Sequence, residues 1–464
     1  MFALAPLPFG SLDRIWITIW IAILSASLAT ADYSRVRDSQ FRLIVAGLLL
    51  FGVYAGVAWL QWVEWAGRFA APIWAEASAL LGERFPPRIS FIATSPLLTL
   101  APALLFAAAG FRAFVLATEP DGARSIARVI GWAAVAYAMY SAISLIVAPG
   151  MLLWRTKEAY LDNLTGTFIN RNTAATYFGG AAIIWLLAFI HELRSRSSRQ
   201  LSVAQNLQAL LRDPPRDVLV SACCLLICFG AVAATSSRAG LLLTTALLGL
   251  AGALSVDWWS AIRRWGWFWL GAGAVMLFLL VEVWGSGVAA RIERRGLADA
   301  GRLQVYERSL DIVADYPVLG IGLGAFESVF PSRRPAGLGA AGIWDRAHST
   351  PLEMAVEMGL PMAVLVATAV MVALAALARA SQRSRRRAVI IGFCVGLLGV
   401  LHSCVDFSLQ IPGYAVTFAA LTGAGLASLG LTARQEARPR GSAKRAIEAA
   451  ASPPRAKSDQ LEPT

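Results

Sequence analysis

The chain has 464 residues, of which 57% are hydrophobic and only 15% are charged, and its formal net charge is +12. A soluble domain carries about 25% charged residues, so this composition excludes an ordinary soluble protein. Most basic residues fall in short segments between apolar runs. That distribution is typical of membrane-topology signals and contacts with anionic headgroups. We therefore expect an integral membrane protein that contacts lipid and binds no nucleic acid.

Apolar runs of about 20 residues, the length that crosses a bilayer as a helix, recur along the chain. They predict an all-α, polytopic bundle of about 11 to 12 spans within residues 1–431. The predicted limits of eleven spans are 15–31, 43–62, 97–117, 129–148, 173–193, 217–234, 238–255, 265–284, 358–379, 388–406 and 411–431. Residues 432–464 are rich in Ala, Arg, Pro and Ser and predict a disordered basic tail on the cytoplasmic side.

Two features of the N-terminal part bear on the number of spans. The first apolar run has no basic segment before it and no evident cleavage site, so we expect a retained span rather than a signal peptide. Residues 63–90 have an amphipathic pattern, and a missed or re-entrant helix there would change the count.

The cysteines predict free thiols rather than a disulfide framework. All five lie within or at the ends of apolar runs, and none has zinc spacing with a nearby histidine. We therefore expect buried thiols that act as small hydrophobic groups.

The arginines predict the orientation of the bundle. When the eleven spans alternate, the basic short loops at 35–42, 124–128, 194–216, 263–264 and 383–387 fall on the side of the basic tail. This is the positive-inside pattern. The exception is segment 285–350, which has eight arginines on the opposite side. Long translocated loops escape the rule, but so many guanidinium groups predict an anionic ligand. We therefore expect this long loop, on the outer side of the membrane, to carry the chemistry.

Arg238 is a candidate phosphate ligand in the tight outer turn 235–240 between two predicted spans. Topology requires no charge at this position, and arginine binds phosphate oxygens through two parallel hydrogen bonds. The alternative interpretation is an ordinary arginine at the membrane interface.

Arg302 is a second candidate, in the first turn of a predicted surface helix over 302–315. An apolar stripe at helical spacing indicates this helix, and it consists of Leu303, Tyr306, Leu310 and Val313. The unpaired backbone N–H groups of a first turn add affinity for anions. The alternative is a solvated arginine on a charged face. Segment 317–324 resembles a glycine-rich nucleotide loop, but it lacks the preceding strand and the glycine spacing. We expect a close backbone turn there.

His348 lies where the long loop re-enters the membrane and is one of three histidines in the chain. Its ionisation range suits a general base for a hydroxyl group, although a single interfacial histidine can be structural. Glu353 and Glu357 follow one helical turn apart. Either could orient the imidazole or bind neighbouring arginines.

Further ionisable residues occur at the same side of the predicted bundle. His402 and Asp406 are four residues apart near the outer end of a span. Ionisable groups within membranes are functional candidates by default, with a satisfied interhelical hydrogen bond as the alternative. Arg171, between two asparagines, is a further candidate phosphate contact, and the alternative is that Asn172 caps a helix.

Four segments together resemble the O-antigen ligase and polysaccharide polymerase superfamily of bacterial membrane C-type glycosyltransferases. They are 166–176, 237–240, 301–324, and His348 followed by 357–360, within a likeness over about 160–410. The resemblance implies a glycan donor linked to undecaprenyl diphosphate, with no metal or other cofactor. Carried onto this chain, the diphosphate would be held by Arg238, Arg302 and Arg171, and His348 would be the general base. Supporting roles would fall to Tyr306, Glu357, His402 and Asp406.

The resemblance also implies a site on the periplasmic face of the bacterial inner membrane, with inversion at the anomeric carbon. The acceptor would be lipid A core or another glycan, so a ligase and a polymerase are both open. Ser349 departs from the family, which commonly has asparagine after the histidine. A transporter or flippase is the alternative from another class. It would place ionisable residues deep in the bundle, often in repeated halves, whereas here they crowd at one side.

Overall fold

A computed structural model of the chain describes residues 1–64, 69–196, 205, 208, 212–255, 300–335 and 344–429. Within these ranges helices predominate. The helices are α1 Arg14–Ala29, α2 Asp38–Trp62, α3 Pro72–Leu81, α4 Pro96–Thr99, α5 Ala101–Leu116, α6 Gly122–Val147, α7 Arg171–Arg196, α8 Arg216–Ala234, α9 Arg238–Ser255, α10 Ala300–Asp315, α11 Phe326–Arg333, α12 Thr350–Met358, α13 Leu360–Ser384, α14 Arg387–Ser403 and α15 Pro412–Ala427. Strands β1 Met151–Leu152 and β2 Arg155–Thr156 form an antiparallel hairpin.

The predicted all-α membrane bundle is confirmed. Ten of the eleven predicted spans correspond to helices, while the eighth, 265–284, and the tail 432–464 lie outside the described residues. Among the described helices, six are long and apolar enough to cross a membrane. Helices α1, α5, α14 and α15 have only 16 or 17 residues, about 24–26 Å at about 1.5 Å per residue. The limit predicted for α14, residue 406, extends beyond its last residue, Ser403, because apolar residues continue into the turn that follows.

The amphipathic segment 63–90 contains a helix but no further span within its described residues. Helix α3 has ten residues, about 15 Å, which is half the thickness of a bilayer core. Its Trp74 Nε1 donates to the carbonyl oxygen of Ser90 at 2.9 Å. Helix α3 therefore packs on the chain segment that follows it, at one end of the bundle.

Helix α7 occupies the centre of the bundle. Its residues from Thr173 to Trp185 are all buried, and they contribute to a hydrophobic core shared with α6, α8, α9, α14 and α15. Six of these positions are alanine or glycine, in 174–175 and 179–182. Small side chains let neighbouring helices approach closely in a membrane, where packing rather than the hydrophobic effect holds helices together.

Polar contacts between helices separate into two layers that match the predicted alternation. One layer, the basic end, includes Gln40 Nε2 donating to Ala427 O at 2.7 Å and Arg194 Nη1 donating to Ser255 O at 2.6 Å. The other layer, the loop end, is the end that carries segments 149–170, 235–237, 300–335, 344–359 and 404–411. The ion pair of Arg155 with Asp13, at 2.7 Å, lies at the loop end.

Helices α10, α11 and α12 pack together at the loop end. Their shared core includes Val305, Ile312, Phe326, Phe330 and Val356. The helix predicted over 302–315 is thus confirmed as α10. The predicted apolar stripe is confirmed at Val313, which is buried in the shared core, and is wrong at its two leucines. Leu303 and Leu310 are 55% and 58% exposed. Two faces of α10 fit helical spacing equally well, and contact with α12 decides which one is buried.

Segment 317–324 forms a close backbone turn against the end of α12, as predicted. Ile321 N donates to Val356 O at 3.0 Å. Gly359 has a φ of +80°, and any Cβ there would collide with the carbonyl of Val318. Glycine at this position therefore permits the loop to lie directly on the start of α13.

Gln61 of α2 fastens this turn to the bundle. Its side-chain Nε2 donates to Leu319 O at 2.5 Å and to Glu357 O at 2.8 Å, and its Oε1 accepts from Leu323 N at 3.1 Å. Gln61 is 1% exposed, so these bonds satisfy backbone groups that water does not reach. The loop end is consequently anchored to a membrane helix far away in sequence.

Candidate functional site

Arg302 is held by the link between α14 and α15. Its Nη1 donates to Val405 O at 2.6 Å, and its Nη2 lies 3.5 Å from Asp406 Oδ2. The Asp406 side chain is 1% exposed and that of Arg302 is 26% exposed. A carboxylate this deeply buried requires a counterion, so Arg302 stabilises the link as well as offering a guanidinium to the site.

Asp406 also reaches the start of α7. Its Oδ2 accepts a hydrogen bond from Asn172 Nδ2, and its Oδ1 accepts from the backbone N of Phe407 at 2.7 Å. Asn170, not Asn172, caps α7, because Asn170 Oδ1 accepts from Asn172 N at 2.7 Å. The N-cap alternative for Asn172 is therefore wrong, and the Asn172 side chain is used to hold Asp406.

His402 is buried next to this link. Helix α14 ends at Ser403, so Asp406 does not share a helical face with His402. Instead, His402 Nδ1 lies 3.2 Å from Ser408 Oγ, and Ser408 Oγ lies 3.4 Å from Thr176 Oγ1. A hydrogen-bonded histidine of this kind fits the interhelical alternative, and its supporting role remains a prediction.

His348 has an unusual backbone conformation and a defined ring environment. Its φ is +53°, a left-handed value that costs a non-glycine residue free energy of the order of 1 kcal/mol. Tyr306 Oη donates to the His348 carbonyl oxygen at 3.0 Å. The imidazole is flanked edge-on by Trp344, at 5.3 Å between centroids, and by Phe407, at 4.9 Å. These contacts hold the ring in one place.

Arg302 and His348 are brought together by α10 and the 405–407 link. Arg302 and Tyr306 are one turn apart on α10; Arg302 binds Val405 O, and Tyr306 binds the His348 backbone. Phe407, two residues after Val405, contacts the imidazole of His348. Two of the residues predicted from separate motifs therefore share one surface at the loop end.

Glu353 fixes the residue that precedes His348. One of its carboxylate oxygens accepts from Ala347 N at 2.8 Å and the other from Arg346 Nη1 at 3.1 Å. Glu353 thus binds a neighbouring arginine, which is one of the two roles predicted for these glutamates. The sequence did not predict that Glu353 binds Ala347 N, because the spacing of residues along the chain does not indicate contacts with the backbone.

Glu357 binds the start of α11. Its Oε1 accepts from Phe326 N at 3.0 Å. Burial, reinforced by the negative charge of Glu353, raises the pKa of Glu357 to about 7. Through its hydrogen bond to Phe326 N, Glu357 holds α11 against α12. It lies one helical turn after Glu353, which binds Ala347 N.

Arg238 and Arg171 lie on the other side of the start of α7. Gly240 packs against Ala175 so closely that a Cβ would clash, which places the first turn of α9 beside the first turn of α7. Arg171 Nη1 donates to Asn163 Oδ1 at 3.1 Å. Within the described part of the chain, the Arg238 guanidinium makes no hydrogen bond or ion pair. It is half-buried and available to a ligand.

The cysteines agree only in part with the prediction. All five are free thiols, and Cys224, Cys228 and Cys394 are buried. Cys223 and Cys404 are exposed.

The helices and the arrangement at the loop end define a multi-pass membrane protein with arginines and a histidine gathered at one end. Residues 223–367 match the family model described as O-antigen ligase. A search of curated proteins finds no match to the chain. The resemblance is thus confirmed for a segment that includes Arg238, Arg302 and His348, narrower than the 160–410 predicted. It supports a ligase- or polymerase-type membrane glycosyltransferase, with a lipid-linked glycan and an acceptor as partners.

The buried ion pair makes a prediction about stability. Arg302→Ala should lower the free energy of unfolding by about 2–3 kcal/mol, because Asp406 would be left without its counterion. Adding Asp406→Asn should recover most of that loss. The measurement is a double-mutant cycle from denaturant unfolding of the purified protein. Strictly additive losses would show that Arg302 is not the counterion of Asp406.

The raised pKa of Glu357 predicts a pH-dependent stability. The unfolded chain releases this proton near pH 4.5, whereas the folded chain keeps it to about pH 7. Wild-type stability should therefore fall as the pH rises between these values and level off above them. Glu357→Gln cannot ionise and still accepts from Phe326 N, so its thermal midpoint relative to wild type should rise by a few degrees over this range. A constant difference from pH 4 to pH 8 would contradict the assignment.

Proposed function

We propose that the chain transfers a glycan from undecaprenyl diphosphate to an acceptor hydroxyl. The acceptor is lipid A core or another glycan, the site faces the periplasm from the inner membrane, and neither a metal nor another cofactor takes part. The shared surface of Arg302 and His348, joined by Tyr306 and the 405–407 link, is the observation that carries the proposal. The match of residues 223–367 to the O-antigen ligase family supports it.

In this proposal His348 is the general base. Its imidazole takes the proton of the acceptor hydroxyl as the oxygen attacks the anomeric carbon of the donor sugar. The bond from that carbon to the diphosphate oxygen breaks, and its electron pair leaves with undecaprenyl diphosphate. Attack from the opposite face inverts the anomeric configuration. The imidazolium then loses its proton to water.

The arginines stabilise the leaving diphosphate. Negative charge develops on the diphosphate oxygens as the bond breaks, and pre-positioned guanidinium groups at a membrane surface lower the energy of that state. Arg238 is the first contact in this proposal, since Arg302 already shares its charge with Asp406. Arg171 and Arg302 bind the diphosphate from either side of the start of α7.

The remaining candidates act through these residues. Tyr306 holds the His348 carbonyl, and Asp406 fixes the orientation of Arg302. Glu357 keeps α11 and α12 together, and His402 stays hydrogen-bonded beneath the link. They are positioning residues, not groups that touch the donor.

A ligase and a polymerase differ in the acceptor, so a cellular assay distinguishes them. The chain is restored to a strain from which it has been deleted, and glycan length is examined on gels. Loss of attached glycan in the deletion strain indicates a ligase. Loss of long glycans with retained attachment of short ones indicates a polymerase.

His348→Ala should abolish the restored activity, with a loss of about 10²–10⁴-fold, because proton removal from the acceptor would have no base. His191→Ala is the matched control. His191 is an exposed residue at the basic end of α7, and its removal should leave activity unchanged. Full activity of His348→Ala would exclude it as the general base.

Arg238→Lys should also lose activity, by about tenfold or more, because lysine keeps the charge but not the planar pair of donors that grips phosphate. Arg308→Lys serves as the control, since Arg308 lies on the exposed face of α10 and pairs with Asp311 at 2.9 Å. Both variants are assayed for glycan transfer with equal amounts of each protein in the membrane. Wild-type activity of Arg238→Lys would support the ordinary interfacial arginine instead.

A further inference from the structure

Asn163 joins three separate elements at the loop end. Its Oδ1 accepts from Arg171 Nη1 at 3.1 Å, and its Nδ2 donates to Ser236 Oγ at 3.1 Å. Its backbone carbonyl accepts from Lys157 Nζ at 2.8 Å. Asn163 therefore connects three segments, which are the residue after strand β2, the start of α7 and the turn before Arg238.

The contact with the turn is reinforced by the backbone. Leu164 N donates to Ala234 O at 3.1 Å, so the end of α8, just before the turn, is held against the residue that follows Asn163. Arg238 lies two positions after Ser236. The bonds of Asn163 therefore connect the turn before Arg238 to Arg171 and Lys157.

Positive charge in this cluster is weakly opposed. Among the residues that the structure describes, no carboxylate lies within ion-pair distance of Lys157 or Arg238. Burial lowers the pKa of Lys157, and the charge of Asp162 partly offsets this. This differs from Arg302, whose charge is shared with the buried Asp406. Lys157 and Arg238, which form no ion pair within the described part of the chain, are suited to a multivalent anion.

Asparagine is chemically well suited to this position. Its amide oxygen accepts from a guanidinium and its amide nitrogen donates to a hydroxyl, and it carries no charge. Aspartate would accept from Arg171 equally well, but it would cancel positive charge and could not donate to Ser236. The neutral side chain thus holds the cations without neutralising them.

We infer that Asn163 is a positioning residue that spaces Lys157, Arg171 and Arg238 into one anion-binding surface, and that Lys157 is a further contact for the donor's diphosphate. The inference rests on the proposed function for the identity of the ligand. The bonds to Asn163 connect the three segments that carry these cations.

The test is thermal unfolding of the purified full-length protein with increasing inorganic diphosphate. A ligand that binds only the folded state raises the midpoint, and at a given concentration a tighter ligand raises it more. Compared with wild type, Asn163→Ala should bind diphosphate about tenfold more weakly, the effect of losing one charge-assisted contact. Lys157→Gln should show a similar loss without altering the Asn163 side chain.

Asn163→Asp separates positioning from a purely structural role. Without diphosphate its midpoint should equal or exceed that of Asn163→Ala, because aspartate still binds Arg171. Its affinity for diphosphate should nevertheless be the lowest of the series, since the added charge repels the anion. A structural role alone would make affinity follow stability.

Thr167→Val is the matched control. Thr167 lies in the same loop, is buried and donates to Pro6 O at 2.7 Å. Its loss should lower the midpoint but leave the affinity for diphosphate unchanged. Equal affinity of wild type, Asn163→Ala and Asn163→Asp would overturn the inference and leave the proposed donor standing. Failure of wild type itself to bind diphosphate would overturn both.

Discussion

The buried carboxylate of Asp406 is the constraint on which the arrangement at the loop end depends. Burying a carboxylate that is 1% exposed is costly unless a counterion and hydrogen bonds compensate for the lost water. Compensation comes from Arg302 on α10 and from Asn172 at the start of α7. Since Phe407 follows directly and touches His348, satisfying one charge also positions the candidate base.

The bundle and the loop end are stabilised by different interactions. Inside the bundle, α7 packs through small residues and aromatic side chains, with few charged groups. At the loop end, short helices share only a small core and rely on hydrogen bonds to Gln61, Glu353 and Glu357. Such bonds have fixed directions, which suits a surface where guanidinium and imidazole groups must keep their spacing. The described segments at the loop end are therefore an extension of the bundle.

Arg302 and Arg238 differ in whether the protein itself binds the guanidinium group. Arg302 is fixed by the protein and orients its neighbours, whereas Arg238 presents its guanidinium to whatever occupies the site. Leaving-group stabilisation requires donors that are placed in advance yet available to the ligand. The proposed mechanism uses both kinds, with Arg238 binding first and Arg302 holding the surface in register with His348.

Sequence by itself determined the all-α membrane bundle, the two ends and most of the candidate residues, because apolar runs and arginine placement are local signals. It could not choose between Arg238 and Arg302 as the open guanidinium. That choice depends on Asp406, 104 residues from Arg302 along the chain. It also misplaced part of the buried face of α10, where Leu303 is exposed and Val305 is buried. Only packing against other elements decided these points, since burial and counterions arise from residues distant in sequence.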